Sequence, residues 1–154
     1  MPQYFLREDL EILHKKIDEV SRDLDRVSLL LGEACQQSSE TFHDNAPYEV
    51  AVREQIILSR HLQDLLQFQR DVVIVDPPGT FCTVRIGAMV TIQDIATSEI
   101  ETYKIGSYIV FDYSYEKISY VSPMAQALEG ARVGEVRTLN LETRVRTLRV
   151  VAIK

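Results

Sequence analysis

Apolar positions recur along the first part of the chain with alternating spacings of three and four residues. The first run covers residues 6–34 and stops at a polar stretch, residues 36–39. The second run begins at Tyr48 and continues to Leu65. A repeat of about 3.5 residues places these side chains along one face of a helix, and two such helices bury those faces against each other. The pattern therefore predicts an antiparallel α-helical coiled-coil hairpin.

The polar segment between the two runs predicts the tip of the hairpin, residues 40–46, which contains the acidic residues Glu40 and Asp44. A proline is favoured in the first turn of a helix, so the second helix is expected to start close to the proline that follows this segment. The expected limits are Leu6 or Arg7 to Ala34 for the first helix, and Ala46 or Pro47 to Gln69–Arg70 for the second.

The sequence becomes rich in strand signals after the second helix. Residues 72–75 form a short apolar strand, and residues 76–80 contain two prolines and a glycine, which exclude a helix. Further strands are expected at residues 81–86, 88–95, 99–106, 108–113, 135–141 and 144–153, with one short helix, Pro123 to Leu128, after Ser122 as N-cap. This predicts an α+β protein: a hairpin domain, residues 1–75, and an antiparallel β-sheet domain with one short helix, residues 76–154, with the boundary around residues 70–77.

The 154-residue chain has a net charge of −6. This acidic balance argues against sequence-specific DNA binding, because contacts with phosphates require clustered lysine and arginine. Cys35 and Cys82 lie far apart without a metal-binding pattern, which predicts two reduced, semi-buried thiols and a cytoplasmic location. The chain shows neither an apolar stretch of about 20 residues nor a signal peptide, so we expect no membrane association.

Three stretches resemble the bacterial GreA/GreB transcription elongation factors. Residues 44–55 read DNAPYEVAVREQ and are similar to the family segment ENAEYxxAxxEQ. Residues 75–92 are similar to the entry into the family's second domain. Residues 118–135 read ISYVSPMAQALEGARVGE and are similar to the family run ISxxSPxAxALxGxxVGD. The three stretches follow in family order behind a coiled coil, so the resemblance covers nearly the whole chain.

The resemblance implies an FKBP-like C-terminal domain that docks at the rim of the secondary channel of RNA polymerase. The coiled coil then enters the channel and approaches the 3′ end of the nascent RNA. The chain would be an accessory factor rather than an enzyme, with no cofactor of its own. Its tip carboxylates would share a Mg²⁺ ion with the polymerase active site and promote cleavage of backtracked RNA. The docking residues implied by the resemblance are Tyr120, Val121, Ser122, Pro123 and Met124.

The tip departs from the family pattern Asp-Leu-x-Glu-Asn-Ala. Asp44 occupies the position of the glutamate and is the implied catalytic and Mg²⁺-binding carboxylate, with Glu40 as a partial substitute for the missing aspartate. Thr41 stands in place of that aspartate, and Pro47 replaces another glutamate. The implied tip contacts with the polymerase are Thr41, Phe42, His43 and Asn45. Two mechanisms stay open: stimulated transcript cleavage, and inhibition of the polymerase without cleavage. Asp44 is also a good N-cap for the second helix.

Two other classes of function are alternatives. An FKBP-like domain suggests prolyl isomerase activity, which requires an apolar pocket lined by aromatic side chains. A helical hairpin also suits a coiled-coil adaptor or chaperone, although such a hairpin would expose apolar residues at its tip, whereas this tip is mostly polar.

Overall fold

The computed structural model describes residues 1–37, 46–111, 114 and 116–154. The chain forms two units. The helical unit is Glu11–Arg70, and the sheet unit combines Met1–Leu10 with Asp71–Lys154. The predicted α+β class is confirmed. No helix in the described part of the chain is both long and apolar enough to cross a bilayer.

The helical unit contains the predicted hairpin. Helix α1 is Arg7–Gln37 and helix α2 is Ala46–Gln67. Gln55 of α2 donates a hydrogen bond from Nε2 to Oγ of Ser28 on α1, over 3.4 Å. The buried side chains of the unit all belong to the two apolar runs. They are Leu13, Val20, Val27, Ala51 and Leu65. The spacing of three and four residues therefore identified the interface of the hairpin.

Helix α2 begins where the sequence predicts and ends a few residues early. A turn with hydrogen bonds from residue i to i−3 occupies residues 68–70. Asp71 then adopts a left-handed backbone conformation with φ of 56°. Aspartate tolerates this conformation better than most residues, and one left-handed residue ends a helix. The predicted end at Gln69–Arg70 is therefore wrong by two or three residues.

The described residues of the sheet unit form seven strands and one short helix. Strands β1 and β2 pair with each other in parallel, and the other five form a sheet of order β5-β4-β3-β7-β6. The elements are β1 (Gln3–Leu6), β2 (Val72–Val75), β3 (Met89–Asp94), β4 (Ile100–Gly106), β5 (Lys117–Ser119), α3 (Pro123–Leu128), β6 (Val136–Asn140) and β7 (Val145–Ile153).

The five-stranded sheet is mixed, which corrects the expectation of an antiparallel sheet. The β3–β4, β3–β7 and β6–β7 pairs are antiparallel, but β5 runs parallel to β4. Strand β5 pairs with the last three residues of β4, from Lys104 to Gly106, and runs in the same direction. Two parallel strands cannot be joined by a short hairpin, because a hairpin reverses the chain.

Two predicted strands are wrong in the described part of the chain. Residues 81–86 contain no strand, although Val84 is buried and exchanges hydrogen bonds of 2.9 Å with the backbone of Gly130 and Ala131. Residues 108–111 contain no strand either, while residues 112 and 113 lie outside the described residues. Val84 and Phe81 of the first segment pack in the core, and residues 108–111 are half-buried. Apolar composition alone does not distinguish such a segment from a strand.

The core of the sheet unit lies between one face of the sheet and α3. Alternate residues of β3 and β7 point into it, as the two-residue period of a strand requires. Ala125 and Leu128 cover this face from α3. The buried cluster consists of Val84, Ala88, Val90, Ile92, Ile105, Ala125, Leu128, Ala131, Leu139, Leu148 and Val150. Outside this core, Cys35 and Cys82 are both exposed, which corrects the expectation of semi-buried thiols.

Gly87 is required where the chain enters β3, and replacing it with alanine should destabilise the protein by about 2 kcal/mol or more. Its φ is +90°, and an added Cβ would lie 2.7 Å from Cβ of Pro77, a side chain held rigid by its ring. Gly79→Ala is the matched control, since nothing lies within 4 Å of the added atom there. Urea unfolding measures both variants; equal stabilities would contradict the role of Gly87.

Candidate functional site

The predicted docking segment, residues 120–124, consists of the turn between β5 and α3 and the first two residues of α3. Ser122 is the N-cap of α3, and its Oγ accepts a hydrogen bond of 3.3 Å from the backbone N–H of Ala125. Pro123 follows in the first turn of the helix, where the absence of an N–H costs nothing. The predicted cap is confirmed. Val121 and Pro123 are exposed beside it, so the turn presents apolar surface.

Tyr120 connects this turn to the N-terminal strand β1. Its hydroxyl accepts a hydrogen bond of 3.3 Å from the N–H of Tyr4, and the two rings meet edge to face with centroids 5.9 Å apart. The ring of Tyr108 lies on another side of Tyr120, with a centroid distance of 6.3 Å. Ser119 donates from its Oγ to the carbonyl oxygen of Tyr108 over 2.8 Å. These contacts fix the position from which the docking segment departs.

A cleft of about 350 Å³ opens beside Tyr120. Its walls are mostly apolar, and two charged residues, Arg85 and Glu129, are exposed at its rim. The described lining residues are Tyr4, Val75, Val84, Arg85, Ile86, Ile105, Tyr120, Ala125 and Glu129. These lining residues include no cysteine, serine or histidine that would act as a nucleophile or base. The cleft is suited to receiving an apolar group of a partner, and the two rim charges can orient that partner.

A charged network holds the start of α1 against the edge of the sheet. The carboxylate of Asp9 is buried and accepts hydrogen bonds from N–H of Ser107 over 3.2 Å and from Oγ of Ser107 over 2.5 Å. Lys117 of β5 donates to Asp9 and, over 3.0 Å, to Glu8. Lys104 also donates to Glu8, over 2.6 Å. The network therefore joins the first turn of α1 to β4 and to β5, the strand that directly precedes the docking segment.

The ionisation of this network follows from its contacts. The hydrogen bond with Lys104, followed by the one with Lys117, lowers the pKa of the Glu8 carboxyl. Burial lowers the pKa of the Lys117 ammonium, but the hydrogen bonds with Asp9 and Glu8 outweigh that effect, and the pKa is raised on balance. Lys117 is therefore charged throughout the neutral range, which sets the sign of its contribution to stability.

The predicted residues of the tip lie outside the described residues; they are Glu40, Thr41, Phe42, His43, Asp44 and Asn45. Their roles stay predictions. In the described ranges, which exclude the tip, no group of three or more His, Cys, Asp or Glu side chains is placed to hold a metal ion. Tyr48, predicted to lie in the apolar stripe of the hairpin, has 37% of its surface exposed.

Sequence reasoning missed Tyr4, Arg85 and Glu129 as parts of the cleft. Strand β1 has only four residues, and it pairs with β2 about 70 residues further along the chain. Such a pairing leaves no local signal. The available clue was the run of aromatic and apolar residues at positions 4–6, which a helix start does not require.

Comparisons with known proteins identify relatives of this chain. The family model described as "Transcription elongation factor, GreA/GreB, C-term" matches residues 80–154. Transcription elongation factor GreA of Thermomicrobium roseum is 30% identical over 133 residues, which are 84% of this chain and 83% of that protein. GreA of Syntrophobacter fumaroxidans is 28% identical over 96% of this chain and 95% of its own length. Among solved structures, Gfh1 of Thermus aquaticus is 28% identical over 99% of this chain and 97% of its own, with a TM-score of 0.46.

A helical hairpin precedes a mixed sheet with a capped helix, and the cleft beside Tyr120 is lined mostly by apolar side chains. The chain belongs to the GreA/GreB family of transcription elongation factors.

Proposed function

We propose that this transcription elongation factor binds RNA polymerase and inserts its helical hairpin into the secondary channel. The sheet unit docks at the rim of the channel, and the residues between α1 and α2 reach the active site of the polymerase. There the factor acts on backtracked complexes by stimulating cleavage of the nascent RNA.

The observation that carries this proposal is the paired helical hairpin in a chain of this family. Helix α1 has 31 residues, and at about 1.5 Å per residue it is about 46 Å long. Its pairing with α2 makes a rod that is stiffer than a single helix. A stiff rod with acidic residues between its two helices is suited to delivering carboxylates into a narrow channel, since its reach is set by its length.

The docking turn and the cleft beside Tyr120 support the second part of the proposal. The turn exposes Val121 and Pro123 next to an apolar cleft with a cation and an anion at its rim. Such a surface can bind an apolar side chain of the polymerase while the two charges select its orientation. Tyr120 and Met124 would add apolar contact area.

The chemistry assigned to the tip rests on Asp44. Hydrolysis of a phosphodiester with two metal ions requires oxygen ligands for Mg²⁺ and a water molecule activated by the metal. The polymerase would supply one firmly bound ion, and Asp44 would supply a carboxylate for a second, with partial help from Glu40, the residue next to Thr41 in the sequence. Thr41 favours a second candidate function, in which the factor occupies the channel and slows nucleotide addition without cleavage.

The test uses a stalled, backtracked elongation complex with labelled RNA. We expect the protein to bind the complex and shorten the RNA, and Asp44→Ala to slow this cleavage by roughly tenfold or more, because a metal ligand stabilises the transition state by several kcal/mol. Glu49→Ala is the matched control, an acidic residue in the first turn of α2. Slower nucleotide addition without shortened RNA would identify the inhibitor instead. A protein that does not bind the polymerase would overturn the proposal and favour an adaptor.

A further inference from the structure

An open groove of about 560 Å³ lies between α1 and α2 at the end of the hairpin where α1 stops and α2 starts. Its floor is apolar, formed by Leu30 and Ala34 of α1 with Val50 and Ala51 of α2 among others. One glutamate from each helix, Glu33 and Glu54, flanks this floor. The groove is far from the cleft in sequence, and no role described above uses it.

The two largest apolar side chains of the groove floor are exposed to solvent. Leu30 has 49% of its surface exposed and Val50 has 62%. Ile57 follows Val50 by two turns on the same side of α2 and is 67% exposed. Large aliphatic side chains gain free energy when they leave water, so a row of them along a groove favours a partner surface.

The charge that flanks the groove is negative, because its described lining residues include Glu33 and Glu54 but no lysine or arginine. The flanking residues Glu33 and Glu54 are both exposed and retain their hydration, so they attract a cationic partner at the rim without a large cost of desolvation. The same charges repel the phosphates of RNA.

The form of the occupant follows from the backbone of the hairpin. Apart from the terminal C=O groups of α1 and N–H groups of α2, the peptide groups of the two helices are hydrogen-bonded within each helix. The groove therefore offers no strand edge to which an extended peptide could add. A helix satisfies its own backbone and can lie along the groove as a third helix. A second copy of this chain is a poor occupant, because two-fold pairing of the grooves would bring Glu33 and Glu54 of both copies together.

We propose that this groove binds an amphipathic helical segment of RNA polymerase, in which lysine or arginine residues flank an apolar side chain. The inference rests on the proposed function and adds a specific contact to it. The apolar side chain packs on Leu30 and Val50, and the two cations pair with Glu33 and Glu54. The groove thereby fixes the rotation of the hairpin about its long axis once it is inside the channel.

Binding of purified RNA polymerase to immobilised protein tests the groove. We expect Leu30→Ser to weaken binding about tenfold, and Leu29→Ser, at the neighbouring exposed leucine outside the groove lining, to leave it unchanged. Glu33→Lys with Glu54→Lys should weaken binding at least about tenfold at low salt, and this difference should shrink as salt screens the rim charges. Asp25→Lys with Glu49→Lys is the control of equal net charge, since neither residue lines the groove.

The outcomes separate this inference from the proposed function. If the unaltered protein binds the polymerase and the groove variants bind equally well, the groove inference is overturned and the proposed function stands. If the unaltered protein does not bind, both fail. Light scattering provides a further check: a dimer of the free protein that Leu30→Ser abolishes would assign the groove to a second copy and overturn the inference.

Discussion

Replacing Lys117 with methionine should lower the free energy of unfolding by about 3–5 kcal/mol, the usual cost of removing one partner of a buried ion pair. Lys117 has 11% of its side-chain surface exposed and Asp9 has 4%. Methionine fills a similar volume, so the loss reports the charge rather than a cavity. The variant leaves the carboxylate of Asp9 buried with Ser107 as its remaining hydrogen-bond donor among the contacts described above.

The pH dependence of this effect has a definite sign. The pKa of Lys117 is raised in the folded protein, so its stabilising contribution is fully present below the ordinary lysine pKa of 10.5 and is lost as the pH rises through the higher folded value. The difference in the free energy of unfolding between the parent protein and Lys117→Met should therefore be constant through the neutral pH range. Urea unfolding followed by tyrosine fluorescence measures it, since the chain contains no tryptophan.

Lys104→Met is the matched control for this experiment. Lys104 lies beside Lys117 on the neighbouring strand, but it pairs with Glu8, whose side chain is 53% exposed. An exposed pair contributes less than about 1 kcal/mol. A second variant, Asp9→Asn with Lys117→Met, removes both charges and should recover part of the loss. If Lys117→Met loses no more stability than Lys104→Met, the buried pair does not hold the start of α1 on the sheet.

The contacts of Asp9 could not be predicted from the sequence. An acidic residue in the first turn of a helix is explained locally by the helix dipole, and that explanation requires no partner. Its partners, Ser107 and Lys117, lie 98 and 108 residues away. The contact between Tyr4 and Tyr120 could not be predicted for the same reason, since these residues are 116 positions apart in the sequence. The hairpin and the cap at Ser122 were predictable because their sequence signals relate residues that are only a few positions apart.

The candidate site also contains parts that could be predicted from the sequence and parts that could not. The docking turn could be located from the sequence, because a Ser-Pro pair ahead of an apolar helix determines its own local structure. The cleft beside it could not be located from the sequence, since its walls come from elements far apart in the chain. They include β1, β4, α3 and the segment that precedes β3. The apolar groove of the hairpin was also missed. Leu30, Val50 and Ile57 fall outside the run of three- and four-residue spacings, so the pattern assigned them no partner.

Arg146→Met should lower the free energy of unfolding by about 3 kcal/mol, since it removes a buried cation of β7 that pairs with carboxylates of both β3 and β4. Arg146 of β7 is buried and donates to Asp94 of β3 over 2.8 Å and to Glu101 of β4 over 2.7 Å. Its guanidinium reaches both carboxylates at once, so its loss leaves two negative charges facing each other without a counterion. Asp94 keeps its hydrogen bonds from the backbone N–H groups of Ala96 and Thr97.

Acid should reduce the difference in the free energy of unfolding between Arg146→Met and the parent protein. The hydrogen bond with Arg146 outweighs burial and holds the pKa of Asp94 below its ordinary value of 3.8. The stabilisation from that pairing is present above the ordinary value and is lost as the pH falls through the lower folded value. Unfolding measured from about pH 7 down to about pH 3 should therefore show a steeper acid loss in the parent protein than in Arg146→Met.

Arg146→Lys separates charge from geometry in the same position. Lysine keeps the positive charge, but its single ammonium group cannot reproduce the fork that reaches Asp94 and Glu101 together. We expect an intermediate loss of stability with most of the acid dependence retained. If Arg146→Met and Arg146→Lys are equally stable at neutral pH, the arginine acts by filling space rather than by pairing β3 and β4 with β7 through charge.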